Sequence, residues 1–253
     1  MMSNNPLISV VMPLYNAERF LEKSVKSVLN QTFGDFELII IDDCSKDGSL
    51  NIAENLAESN ERIRIIKNPH NKGVAETRNN GIREARGKYI ALLDSDDIWE
   101  ETKLEKQIKL LEKEKAQIAY CSYGFIDEND APIKKPFIVP EYTNFNKMLK
   151  RSVISCSTAL IEAELLKAHN FNAEFYHEDY VLWMELLKAD AKAVGNTEVL
   201  AYYRQVSGSR SNDKRNAALY RWKIYRGALK LPFFKSCISF AQYAFYAVMK
   251  YYF

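Results

Sequence analysis

Three short apolar runs constrain this chain more than anything else in it: Leu7-Ile-Ser-Val-Val-Met12, Phe36-Glu-Leu-Ile-Ile-Ile41 and Tyr89-Ile-Ala-Leu-Leu93. Each is β-rich and nearly uninterrupted, which suits strands covered on both faces of a parallel sheet. The segments between them carry helical periodicity. Glu18 to Asn30 places Phe20, Leu21, Val25, Val28 and Leu29 on one face; Ser49 to Ser59 and Val74 to Arg86 read as two further helices, the last stopped by Gly87. Strand, helix, strand, helix, strand predicts an α/β, Rossmann-like, mostly parallel sheet. A helix over Glu100 to Lys115 and a strand over Gln117 to Tyr123 extend it. Asp127 to Pro140, with three prolines, reads as an exposed loop, and the pattern beyond it is mixed α+β. The expected division is 1–120, 121–212 and a tail over 213–253.

The ends of the runs carry the chemistry. Tyr89–Leu93 delivers Asp94-Ser95-Asp96-Asp97, Phe36–Ile41 delivers Asp42-Asp43, and Leu7–Met12 runs into Pro13-Leu-Tyr15-Asn16. Open α/β sheets bind ligands just beyond the carboxyl ends of their strands. Clustered carboxylates repel and raise one another's pKa values unless a cation or partner holds them. Hard oxygen ligands of this kind favour Mg²⁺ or Mn²⁺, which commonly bridges carboxylates to phosphate oxygens. The plainer reading is an acidic turn in which Asp97 N-caps a segment from Trp99, and Asn16 is likewise placed to cap the next helix. Tyr15 offers a flat ring for a base, and Pro13 a carbonyl. Further on, His177-Glu178-Asp179-Tyr180 leads into an amphipathic helix. Acids at a helix N-terminus are favoured by ~0.3–1 kcal/mol through the dipole, and a carboxylate facing a cleft can also take a proton from a sugar hydroxyl.

Composition narrows the setting. The chain has 253 residues, ample for a self-sufficient core. Cys44, Cys121, Cys156 and Cys237 are widely spaced, so neither a zinc site nor a disulfide framework is indicated, and a reducing compartment fits. Met1 to Asn5 lacks the basic and then apolar start of a signal peptide. The overall charge of +2 hides an asymmetry: residues 214–253 hold eight basic side chains and no acid. Leu231 to Met249 is too interrupted by Lys235 and Gln242 to span a membrane, and suits an interfacial anchor or a helix packed on the protein itself. So apolar a segment, with no recognisable binding module, argues against nucleic acid.

Taken in order, Ser9-Val-Val-Met-Pro-Leu-Tyr-Asn16, Ile41-Asp-Asp-Cys-Ser-Lys-Asp-Gly48, Asn71-Lys-Gly73 with Arg78-Asn79, Leu93-Asp-Ser-Asp-Asp97, and Glu178-Asp179 with Trp183 resemble glycosyltransferase family 2, over residues 7 to about 212. The resemblance implies a GT-A fold and an inverting, metal-dependent glycosyltransferase of bacterial surface-polysaccharide assembly. By it, Pro13, Tyr15 and Asp43 hold the uracil of a UDP-sugar donor, Arg78 lies near the nucleotide or diphosphate, Asp94 and Ser95 face the ribose corner, and Asp96 with Asp94 ligates Mn²⁺ or Mg²⁺. Asp97 assists from behind them. Asp179 is the general base beside Glu178, and Arg204 matches a Tyr-Arg element of the acceptor half. The acceptor implied by family and tail together is a sugar on undecaprenyl diphosphate, met at the cytoplasmic face of the inner membrane. One departure stands out: Gln205-Val206-Ser207 follows Arg204 where many relatives carry a metal- or diphosphate-directed His. The other readings of the same carboxylates are a non-catalytic nucleotide-sugar-binding protein and a nucleotidyltransferase. A dehydrogenase is excluded because the first turn has no G-x-G-x-x-G.

Overall fold

The computed structural model describes residues 5–206 and 217–252, with backbone alone for 217 and 246–252. The first half winds as its periodicity predicts: β1 (Ile8–Leu14), α1 (Leu21–Leu29), β2 (Phe36–Asp42), α2 (Ser49–Glu58), β3 (Ile63–Lys67), α3 (Val74–Glu84), β4 (Tyr89–Leu92), β5 (Ile98–Trp99) and α4 (Lys103–Glu114). Then come β6 (Ile118–Ile126), β7 (Pro132–Phe137), β8 (Tyr142–Thr143), α5 (Phe145–Lys150), β9 (Leu160–Glu162), α6 (Ala163–Lys167), α7 (Glu178–Lys188) and β10 (Ala193–Arg204). All ten strands join one sheet, ordered β3-β2-β1-β4-β9-β6-β10-β5, with β7 beside β6 and β8 beside β10.

Every residue of β1 and β2 is buried, as strands covered on both faces must be. Their side chains alternate between two cores. Val10, Met12, Leu38 and Ile40 join Leu21, Val25 and Leu104 on one side, while Val11, Ile39 and Ile41 join Ile82 and Trp183 on the other. Gly87 allows α3 to return tightly, since a Cβ there would stand 2.6 Å from the Ser9 backbone nitrogen.

The sheet is parallel through β3-β2-β1-β4 and again between β6 and β10, while β9 enters between β4 and β6 antiparallel to both, so the second half is mixed, as its pattern predicts. The structure departs from expectation in three places. The expected loop at Asp127–Pro140 contains β7, an exposed strand paired antiparallel to β6. The helix after β5 starts at Lys103 instead of Glu100; the Glu100 amide continues the strand pairing by donating to the Leu200 carbonyl of β10 at 3.0 Å. Finally, Asn16 caps no helix. It adopts a left-handed backbone (φ 51°) and its Oδ1 accepts from the Lys46 amide at 2.7 Å, tying the loop after β1 to the loop after β2, and α1 begins only at Leu21.

The tail folds back on the body. Helix α8 (Ala217–Lys223) passes through a π-helical turn, Ile224–Ala228, into α9 (Phe233–Tyr252). Ile224, Tyr225, Leu229 and Leu231 are buried, and the Tyr225 hydroxyl donates to the Leu149 carbonyl at 2.8 Å. The opposite face of α9 presents Phe234, Ile238 and Phe245, spaced four and seven residues apart and 80, 61 and 61% exposed. Among the described residues no helix is long and apolar enough to cross a membrane. Lys214 and Arg215 of the basic tail lie outside the described residues.

Candidate active site

The sheet brings the carboxyl ends of β1, β2 and β4 to one edge, and a cavity of about 800 Å³ opens there. It is lined by Pro13, Tyr15, Asp43, Arg78, Asp94, Ser95, Asp96, Glu178 and Asp179, which the fold brings into one space, while Asp97 and Arg204 are not among its lining residues. At one end Tyr15 stands half exposed on the rim. Below it the Asp43 carboxylate is clamped: Oδ1 accepts from Asn68 Nδ2 and the Lys72 amide, both at 2.8 Å, and Oδ2 accepts from the Gly73 amide at 2.8 Å. Gly73 reaches that position with φ 81°, a conformation that costs glycine little. Each carboxylate oxygen has two lone pairs, so Oδ2 retains one for a ligand.

In the middle of the cavity Asp94 and Arg78 face each other. Arg78, 5% exposed, forks: Nη2 donates to Asp94 Oδ1 at 2.6 Å and Nη1 to Glu178 Oε1 at 2.9 Å. It is a strut between the β4 edge and the start of α7. Its Nε is buried and lacks a partner among the described residues. Asp97 does not cap a helix. Its carboxyl turns inward, accepting from Ser157 Oγ at 2.5 Å and from the Arg204 amide at 2.9 Å, and burial pushes its pKa well above the carboxylate range. That leaves Asp96, whose own backbone amide supplies its hydrogen bond and whose pKa is pushed up to about 6 by burial and by Asp94. Across the cavity Asp179 stands in the first turn of α7, its pKa raised by burial against the opposing pull of Arg78.

This arrangement separates three tasks: a clamped acceptor of one hydrogen bond, a crowded acidic centre, and a buried carboxylate on the far wall. The sequence that builds it is equally distinctive. Residues 9–169 match the profile of the family described as Glycosyl transferase family 2. The chain belongs to glycosyl transferase family 2. TuaG of Bacillus subtilis (strain 168), a glycosyltransferase assigned to teichuronic acid biosynthesis, is 37% identical over 97% of each chain. The Escherichia coli UDP-Glc:alpha-D-GlcNAc-diphosphoundecaprenol beta-1,3-glucosyltransferase WfgD is 36% identical over 89% of this chain and 88% of its own. The fold matches that of S. aureus TarS 1-349 in complex with UDP-GlcNAc, with a TM-score of 0.73 at 19% identity, over 94% of this chain and 71% of that 1-349 chain.

The glycosyltransferase holds its acidic centre through residues whose placement its sequence did not disclose. Arg204, 1% exposed at the end of β10, donates its backbone N–H to Asp97 and its Nε to the Asp96 carbonyl at 2.8 Å. Its Nη1 donates to the Asp127 carbonyl at 2.7 Å, and Nη2 meets Asp130 at 2.6 Å. The Tyr-Arg element therefore reaches back from the end of β10 to fix the Asp96 backbone, and the loop after β6 closes over it. Ser157 does the same from below, its hydroxyl accepting from the Asp94 amide at 3.2 Å while donating to Asp97. Trp99 Nε1 pins the Ser157 carbonyl at 2.6 Å, and the buried ammonium of Lys103 lies 3.9 Å from that indole ring. Arg204→Met should lower unfolding free energy by about 2–5 kcal/mol, since the Asp96 and Asp127 carbonyls lose their charged donor while Asp130 keeps Lys23; a denaturation midpoint equal to that of the wild type would contradict this.

A divalent cation fits the donor set. Asp94, Asp96, Asp97, Glu178 and Asp179 crowd around Arg78 and Arg204, and burial together with the neighbouring Asp94 charge raises the pKa of Asp96. Two carboxylates, with the rest of the shell from phosphate oxygens and water, is the ordinary provision for Mg²⁺ or Mn²⁺. Among the described residues no group of three or more His, Cys, Asp or Glu is placed to hold a metal ion by itself. Val206 lines the cavity after Arg204 and adds no ligand.

Proposed function

We propose that the chain is an inverting glycosyltransferase that moves a hexosyl unit, glucose, galactose or an N-acetylhexosamine, from a UDP-sugar to a sugar hydroxyl on a lipid diphosphate, forming a β-linkage. The observation that carries this reading is the single cavity with Asp43 and Tyr15 at one end, Asp94 and Asp96 in the middle and Asp179 at the other. The names of TuaG and WfgD support it from outside. Residues 1–120 hold the donor, 121–212 meet the acceptor, and 213–253 face the membrane.

In this reading Tyr15 stacks on the uracil and the spare lone pair of Asp43 Oδ2 accepts its N3–H. Asp94, held by Arg78, meets the ribose, and Ser95 lies beside it. Asp96 with Asp94 would hold Mn²⁺ or Mg²⁺, which supplies charge neutralisation to a departing diphosphate. Asp179 takes the proton from the acceptor hydroxyl as that oxygen bonds to the anomeric carbon. The bond from that carbon to the diphosphate breaks, its electron pair leaves with UDP, and a single displacement inverts the centre. Glu178 keeps Arg78 in line and so fixes the distance between the two walls.

Calorimetric titration with UDP-glucose, UDP-galactose and their N-acetyl forms, with and without Mn²⁺, tests the donor. Binding of at least one of them, strengthened by Mn²⁺, is the expected result, and no binding of any UDP-sugar would overturn the reading. Because Asp96 must lose its proton to bind a cation, Mn²⁺ affinity should fall as pH drops through about 6. An affinity unchanged between about pH 7.5 and about pH 5 would count against Asp96 as ligand.

For the tail, the outward stripe of α9 and the basic side chains around it support a peripheral site on the anionic cytoplasmic leaflet of the inner membrane. Polar replacement of Phe234, Ile238 and Phe245 should spare the fold, since these residues point outward, and should cut co-sedimentation with phosphatidylglycerol vesicles several-fold. Unchanged co-sedimentation would refute the anchor.

A further inference from the structure

One cluster of the cavity wall has no part in the chemistry above. Tyr176 and His177, on the loop that enters α7, line the cavity immediately before Glu178 and Asp179. Tyr220, from α8, stacks on Tyr176 with ring centroids 4.4 Å apart and planes at 11°. His177 stands edge-on to both, 5.1 Å from Tyr176 and 6.1 Å from Tyr220. All three rings are half-buried.

The position of Tyr220 is set from beneath. Its neighbour Arg221 is 7% exposed, with its guanidinium carbon 3.6 Å from the Tyr180 ring centroid and 4.6 Å from that of Tyr243. Arg221 thus locks α8 onto the first turn of α7, one residue beyond Asp179. The C-terminal segment thereby backs the lining ring of Tyr176 with a second ring, beside the wall on which Asp179 stands.

The ligand class follows from reach. For Asp179 to take a proton from a hydroxyl, that oxygen must lie within hydrogen-bond distance of its carboxylate. The sugar bearing the hydroxyl is then brought to the stretch of wall that Tyr176 and His177 line beside Glu178 and Asp179. A pyranose has an apolar face of C–H groups and a polar rim, and the negative face of an aromatic ring matches the first.

We propose that Tyr176, His177 and Tyr220 form the aromatic platform that binds the acceptor pyranose, so that α8 is part of the acceptor site. This rests on the reading of Asp179 as base and of the chain as a UDP-sugar transferase.

The test uses the full-length protein, the donor that calorimetry selects, and a panel of α-linked glucosyl, galactosyl, N-acetylglucosaminyl and N-acetylgalactosaminyl diphosphates on a short alkyl chain. Tyr176→Leu and Tyr220→Leu should each raise KM for the best of these acceptors by about tenfold, with kcat within about threefold and the donor Kd unchanged, because one lost sugar-stacking ring is worth about 1–2 kcal/mol. Tyr176→Phe and Tyr220→Phe, which keep the ring, should restore the acceptor KM. Wild-type KM in a folded Leu variant, or a donor Kd that rises in step with the acceptor KM, would overturn the platform. So would a defect that appears only with long isoprenoid chains, which would assign the rings to the lipid. If the wild-type protein binds no UDP-sugar, the underlying functional reading fails; if it binds one and the Leu variants leave KM unmoved, only the platform does.

Discussion

Asp179→Asn is expected to lower kcat by about 10²–10⁴-fold, the usual worth of a positioned proton acceptor, while leaving the melting temperature and donor affinity close to wild type. The side chain is nearly isosteric and keeps an oxygen for the Tyr180 amide, which Asp179 Oδ1 accepts at 2.7 Å. What it loses is the ability to hold a proton. The pH profile supplies a second signature. Burial raises the Asp179 pKa above the ordinary carboxylate range, with Arg78 pulling against it. A base must be ionised, so kcat/KM in the wild type should fall as pH drops through that raised value, and the acid limb attributable to this group should vanish in the variant. Turnover close to wild type in Asp179→Asn would remove Asp179 from the mechanism.

The second large effect is expected from Asp96→Ala. Of the three neighbouring acids, Asp94 is bonded to Arg78 and Asp97 to Ser157 and the Arg204 amide, which leaves Asp96 as the carboxylate with the most freedom to take a cation. Its removal should abolish measurable Mn²⁺ binding and cut kcat/KM by about 10²–10³-fold, the scale on which a preorganised charge stabilises a transition state. It should also stabilise the metal-free protein at neutral pH. The folded-state pKa of about 6 lies above the ordinary aspartate value of about 3.9, so the wild type gains stability as pH falls through about 6 and is penalised above it. Deleting the charge lifts that penalty. A higher Tm without Mn²⁺, no Tm rise on adding it, and lost activity form the expected triad; retained Mn²⁺ binding would contradict the assignment.

Much of this site was legible because its acids punctuate apolar strands. Asp43 and Asp94 follow runs that can only be buried, and a sheet that puts those runs side by side puts their ends together. Pro13 and Tyr15 follow by the same reasoning. Asp179 was legible only through the motif around it, since an acid at a helix start is ordinary. What remained hidden depends on pairings across long stretches of chain. Ser157 meets Asp97 over 60 residues, and Arg204 meets the Asp96 carbonyl over 108, and no spacing rule encodes either contact. Arg204 was visible as part of a Tyr-Arg element, but not as the residue that fixes the Asp96 backbone. Lys103 reads as the polar face of a helix, yet it is fully buried, bonded to Gln107 and packed on Trp99, with burial pushing its pKa down to about 8. The antiparallel entry of β9 was invisible for a related reason: a three-residue strand carries too little pattern to show its direction.

The most direct measurement is the anomeric configuration of the product. Incubating the wild-type protein with Mn²⁺, the UDP-sugar selected by calorimetry and its best sugar-diphosphate acceptor, then reading the new linkage by proton NMR, should show a β-glycoside formed in step with UDP release. An α-linked product, or UDP release without a new glycosidic bond, would contradict a single displacement driven by Asp179.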